Sequence, residues 1–215
     1  MSDSSSQPPS SKVSAAEPVQ TGARPRAAER VRETARDLFY RRGIRAVGVE
    51  EIVQEAGVTK PSLYRSFSSK DELAALCLQE CQDAFFDRFD RALAAHPGDP
   101  RAGVLDFFAG VAARAAEGGY RGCGLTNAGL EYAEPEHPLH RMAVAYKGEL
   151  RARFHGIAAE MGVRDAEKLG DGLLLLLEGT YVTGQLLSGD GPAVAVAAVA
   201  EALISAYRCD AMETP

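Results

Sequence analysis

The chain has 215 residues, 46% of them hydrophobic and 25% charged, with four cysteines and a formal net charge of −6. That apolar fraction can fill a sizeable core and excludes a chain disordered throughout. The cysteines are irregularly spaced, so neither a disulfide framework nor a zinc pattern is expected. No N-terminal stretch has the apolar region of a secretory signal, and the run Leu173–Leu177 is far too short to span a bilayer. The expectation is a cytoplasmic protein with no membrane partner.

Residues 1–22 are rich in Ser, Pro and Gln and are expected to be a disordered tail. A first helix is predicted from about Arg26 to Arg42, with Val31, Ala35, Leu38 and Phe39 inward and Gly43 ending it. Val49, Ile52, Val53 and Ala56 then fall at i, i+3, i+4 and i+7, the stripe of a short amphipathic helix. Gly57 supplies a tight turn. Thr59 is placed to cap a second short helix, and Pro61 suits its first turn. Leu63 and Phe67, four apart, form its inner face, which leaves Lys60, Ser62, Tyr64 and Arg65 on other faces. Ser69 and Glu72 read as a capping box opening a long helix, Lys70 to about Ala95. Two short helices joined by a glycine turn, the second turning hydroxyls and cations outward, outline a helix-turn-helix.

His96–Pro100 breaks the long helix. A helix over about Arg101–Glu117 follows and stops at Gly118-Gly119. A shorter helix, Cys123–Ala133, is predicted next, then a long one from Pro138 to Met161 stopped by Gly162. Asp165 caps a helix reaching Leu187, and Gly189–Pro192 turns into the last helix, ending near Arg208. No segment alternates as a strand does. The fold expected is all-α: an N-terminal three-helix helix-turn-helix domain plus a larger C-terminal helical domain. The final two helices, Asp165–Leu187 and Pro192–Arg208, are apolar on more than one face. A homodimer that joins them as a four-helix bundle across a two-fold axis is the economical way to bury both faces.

The stretch GIRAVGVEEIVQEAGVTKPSLYRSFSSKDEL, Gly43 to Leu73, resembles the DNA-binding domain of the TetR (tetracycline-repressor-like) transcriptional regulators. The resemblance implies residues 23–70 as the reading head and 71–215 as a ligand-sensing and dimerisation domain. Charge agrees: residues 1–70 carry 12 Lys and Arg against 8 acids, a net +4, which leaves −10 on the remainder. The function implied is a ligand-responsive regulator, a repressor released from a near-palindromic double-stranded operator by a small molecule. Two heads would read half-sites about 34–36 Å apart.

In the family, positions matching the start and outer face of the second short helix contact the groove and its phosphates. Thr59 and Lys60 are therefore expected near bases, Tyr64 on a phosphate and Lys70 on the backbone, with Ser62 and Arg65 beside them and Arg45 as a further phosphate candidate. Arg24 and Arg26 are candidates for the minor groove. Toward the ligand, Cys123, Asn127 and Glu131 share one helical face. Glu178 and Tyr181 interrupt an apolar helix, and Phe107, Phe108, Tyr146, Met142 and Phe154 are candidate walls. The stretch from Gly122 to Glu131 also resembles a recurrent segment of one TetR subgroup.

An alternative is a thiol or redox sensor using Cys123, with Cys77 and Cys81 as a second pair and DNA binding secondary. Cys123, Glu131, His137 and His140 lack tight metal spacing, so no metal and no cofactor is expected. No nucleophile elbow, phosphate loop or zinc-hydrolase motif appears, so the chain is not expected to be an enzyme.

Overall fold

The computed structural model describes residues 23–187, 189 and 191–208; the expected tail, residues 1–22, lies outside them. Among the described residues all regular elements are helical: α1 (Ala23–Arg42), α2 (Val49–Glu55), α3 (Lys60–Tyr64), α4 (Lys70–Ala94), α5 (Pro100–Ala115), α6 (Gly124–Glu131), α7 (Pro138–Glu160), α8 (Ala166–Leu186), a 3₁₀ turn (Pro192–Ala195) and α9 (Val196–Ala206).

Helices α4, α5, α7 and α8 begin where side chains replace missing backbone partners. Ser69 Oγ accepts from the Glu72 N–H at 3.0 Å, and the carboxylate of Glu72 takes the N–H of Ser68. Asp99 and Asp165 cap α5 and α8 in the same way. Thr59 departs from expectation. It occupies the N-cap position of α3 in extended backbone, but its hydroxyl donates to Ser62 Oγ at 3.2 Å and caps no N–H.

The last helix is also corrected: its expected first turn is 3₁₀, because Pro192 opens it without an N–H and the chain tightens before α9 begins. The predicted Cys123–Ala133 helix is shorter, since Tyr132 leaves helical backbone at φ −109°, ψ 83° and stacks its ring 4.1 Å from that of His137.

In the head, Val31, Ala35, Leu38, Ile44, Val47, Ile52, Ala56, Leu63 and Phe67 are buried together. Each large side chain in such a cluster contributes about 1.5–3 kcal/mol. Gly57 turns α2 toward α3 at φ +63°, a conformation other residues adopt at a cost. The second α-helical layer is the body. Phe85, Phe89, Phe107, Phe108 and Phe154 interlock there, with Phe89 and Phe107 edge to face at 4.8 Å. Helix α4 belongs to both parts. Its Leu73, Ala74 and Cys77 are buried near the head, and its Phe85, Phe86 and Phe89 are buried in the body. At ~1.5 Å per residue it is a rigid strut of roughly 37 Å.

Among the described residues one face of α8 has no cover. Leu175, Val182 and Leu186 are 72%, 51% and 76% exposed, one stripe at i, i+7 and i+11. Gly179 lies between them with open space around it, and Val199 of α9 is exposed as well. Among the described residues no helix is long and apolar enough to cross a membrane.

Candidate nucleic-acid interface and body cavity

Helix α3 turns Leu63 fully inward and leaves Lys60, Tyr64 and Arg65 exposed. Arg65 donates to Ser62 Oγ at 2.6 Å, and Ser62 also receives the Thr59 hydroxyl, so Thr59, Ser62 and Arg65 form one linked polar surface. Lys60 pairs with Glu50 at the start of α2. That hydrogen bond raises the lysine pKa and lowers that of the glutamate. The pair is solvent-exposed, so its tether is weak and open to exchange for a phosphate. Arg26 is exposed on α1, and the side chain of Arg24 lies outside the described residues.

Arg45 and Lys70, expected on phosphates, have partners within the protein. Lys70 Nζ donates to the carbonyls of Ile44 at 2.9 Å and Val47 at 3.1 Å. Those carbonyls sit between α1 and α2, where no helix satisfies them. Arg45 pairs with Glu134 at 3.1 Å and covers the Tyr132 ring at 4.6 Å. Its main-chain N–H donates to Glu131 Oε2 at 2.9 Å. The same carboxylate packs on Gly43, which has φ +87°, and a Cβ at that position would overlap it. The C-terminal end of α6 therefore grips the α1–α2 turn. A second tie lies nearby: the Arg121 N–H donates to the Tyr40 hydroxyl at 2.9 Å.

Two cavities flank these ties. The smaller, about 210 Å³, lies between α1, α4 and α6 and includes Phe39, Cys77, Asn127 and Glu131 in its wall. The larger, about 350 Å³, opens into the body and is lined by Arg88, Arg114, Tyr120, Cys123, Tyr146 and Tyr181 among others. Tyr40, Cys81 and Gly124 belong to both walls.

The expected ligand residues are thus divided. Cys123, Tyr146 and Tyr181 meet in the larger cavity. Asn127 donates to the Arg121 carbonyl at 2.8 Å and, like Glu131, faces the smaller one. Glu178 pairs with Lys147 and accepts from the Thr126 hydroxyl at 3.2 Å, so its charge is met without a ligand. Phe107, Phe108 and Phe154 are core and line neither cavity, because their faces of α5 and α7 are filled by one another and by Phe89. Sequence reasoning missed Tyr40, Arg88, Arg114 and Tyr120. Arginines four or more residues apart on amphipathic helices look like solvated faces, and nothing in their spacing marks a cavity.

Burial pushes the Cys77 thiol up to about 12 and raises that of Cys81, the reverse of what activates a thiolate. Among the described residues no three His, Cys, Asp or Glu converge as a metal site. His140 Nδ1 lies 2.7 Å from the Tyr132 carbonyl, and His137 caps α7 through the Leu139 N–H.

Residues 31–77 match the family described as bacterial regulatory proteins, tetR family. The chain is 44% identical over 59 residues to the HTH-type transcriptional activator FasR of Mycolicibacterium smegmatis, a match spanning only 27% of this chain and 27% of that protein. A TetR transcriptional regulator of Streptomyces avermitilis is 32% identical in its crystal structure, with a TM-score of 0.74 over 84% of this chain and 97% of that one. A TetR-family transcriptional regulator of Streptomyces coelicolor superposes with a TM-score of 0.79 at 28% identity, over 85% and 96%.

Proposed function

This chain belongs to the TetR family of bacterial transcriptional regulators, with an N-terminal helix-turn-helix DNA-binding domain and a helical C-terminal domain, and from that premise we propose a cytoplasmic, ligand-responsive repressor. The observation that carries this reading is the continuity between its two ends. Tyr40, which lines the larger cavity, belongs to the helix that opens the head.

In this reading residues 23–70 read a near-palindromic operator through Thr59, Lys60, Ser62, Tyr64 and Arg65. Lys60 exchanges Glu50 for phosphate or base, and Arg45 and Lys70 hold the α1–α2 turn in place behind the reading face. Residues 71–215 sense a small molecule and dimerise through α8 and α9, whose uncovered stripe of Leu175, Val182, Leu186 and Val199 is the apolar surface a two-fold contact would bury. An effector in the larger cavity shifts Tyr40 and the α6 grip, and with them the separation of the two heads. DNA and effector then weaken each other by one coupling free energy, typically about 1–3 kcal/mol.

The test is fluorescence anisotropy of the protein on DNA from its own upstream region against scrambled DNA, over a salt series. Selective binding with a steep salt slope is expected, and Lys60→Ala should flatten that slope by about one. Equal weak binding to both fragments, unchanged by Lys60→Ala and Tyr64→Ala, overturns the reading head. Transcription from the same fragment fixes the sign, since activation on binding, the sense in which FasR is named, overturns the repressor assignment.

Cys123 lines the same cavity, which gives the thiol-sensing alternative its footing. Cys123→Ser separates the two readings. It should abolish any oxidant response if the thiol is the sensor, and leave effector release intact if a bound molecule is.

A further inference from the structure

We propose that the larger cavity takes an organic acid, with an apolar or aryl body among its tyrosines and a carboxylate held by Arg88 and Arg114. This deepens the effector reading above and rests on it. The two arginines come from α4 and α5 and meet at the same cavity wall, both half-buried. Among the described residues neither guanidinium has an ion pair or a hydrogen bond, and Arg88 Nε is fully buried without a partner. One carboxylate, Glu117, lies on the rim, and Asp106 lies outside it; Asp106 faces His96 at 3.5 Å, and neither acid pairs with an arginine.

A cation drawn partly out of water without a counter-charge carries a desolvation cost, and a fully buried one is nearly always paired. Burial, followed by the neighbouring charge of Arg114, pushes the Arg88 pKa down. A bound anion removes both costs at once. Its carboxylate matches the donor fork of a guanidinium.

Deeper in the cavity a second polar group faces its neighbours Tyr181 and Cys123. The Tyr146 hydroxyl, on a residue 1% exposed beside Tyr181 and Cys123, has no hydrogen bond of normal geometry. It supplies a donor for a polar atom on the ligand body. The volume, about 350 Å³, lies at the small end of ligand cavities and suits a compact acid.

The test uses the full chain and three acids, octanoate, decanoate and 2-naphthoate, each against the alcohol and the amine of the same carbon skeleton. Binding is read by calorimetry and by release of bound DNA. At least one acid should bind tenfold or more tighter than its alcohol, with the amine weakest. Arg88→Met should weaken that acid by roughly 10- to 100-fold and leave the alcohol unchanged.

The melting temperature of the free protein should hold or rise in Arg88→Met, since the change removes a half-buried charge that has no ion pair; a purely structural arginine would lower it. Arg114→Gln and Tyr146→Phe give parallel readings if Arg88→Met does not fold. Alcohols that bind and release DNA as well as the acids, with Arg88 irrelevant, overturn the acid assignment and leave the effector reading standing. Failure of every compound to bind overturns the acid assignment and counts against the effector reading too.

Discussion

The main-chain N–H of Arg121 donates to the hydroxyl of Tyr40 at 2.9 Å, tying the loop before α6 to the first helix of the reading head. Tyr40 also stands in the walls of both cavities, so one side chain touches cavity, body and head. Tyr40→Phe keeps the ring and removes the bond. Stability should fall by about 0.5–1.5 kcal/mol, the usual net value of one hydrogen bond. DNA affinity without effector should stay within about twofold, while the loss of affinity caused by saturating effector shrinks, because coupling runs through differential contacts. An unchanged coupling factor would place the relay elsewhere.

Gly43 combines φ +87° with a neighbour, the Glu131 carboxylate, lying where a Cβ would go. Gly43→Ala must strain the backbone and displace the grip together. A loss of more than about 1 kcal/mol is expected, or roughly 2–4 °C in thermal melting for a chain of this size. Glu131→Gln, which keeps an acceptor for the Arg45 N–H, should be much milder. Calorimetric melting of both variants checks the contrast, and equal losses would contradict it.

These two ties also mark the limit of what could be read in the sequence. Helix positions were legible because Val49, Ile52, Val53 and Ala56 repeat with the helical period and because Gly57, Ser69 and Asp165 stop or start helices by local chemistry. The outward set Lys60, Tyr64 and Arg65 followed from the same period. The protein partners of Arg45 and Lys70, namely Glu134, Ile44 and Val47, could not be read there, because they depend on where α6 and the α1–α2 turn meet in space. Arg88 and Arg114 were missed for the same reason: a charge near a cavity has the sequence signature of a charge near water.

The Glu50–Lys60 pair sits on the face assigned to DNA. Glu50→Gln should release Lys60 and remove one like charge from the phosphate path. Affinity for scrambled DNA should rise by about two- to fivefold, with a steeper salt dependence. Anisotropy titrations at two salt concentrations decide it, and weaker binding would mean that Glu50 positions Lys60 for its contact.

Cys77 is buried, its thiol pushed up to about 12 by that burial. At pH 8 its thiolate fraction is on the order of one in ten thousand. Iodoacetamide at pH 8 should leave the Cys77 peptide unmodified in native protein and alkylate it in urea. Native labelling as fast as denatured labelling would show that α4 opens at the head.

Leu175 is 72% exposed at the start of the uncovered α8 stripe. Leu175→Glu should yield a folded monomer by sedimentation and lower operator affinity more than tenfold, since one head then binds without its twin. A dimer that survives unchanged would exclude this face as the contact.

The grip of Glu131 on Arg45 is made with a main-chain N–H, and its other neighbour is a glycine without a side chain. That part of the joint is indifferent to most of the letters around it. A reading head with another recognition surface could be grafted onto this body and remain latched, provided the graft keeps a glycine at its first turn together with Tyr40 and Arg45, whose side chains also reach the body. New operator specificities could then be added without rebuilding the sensor.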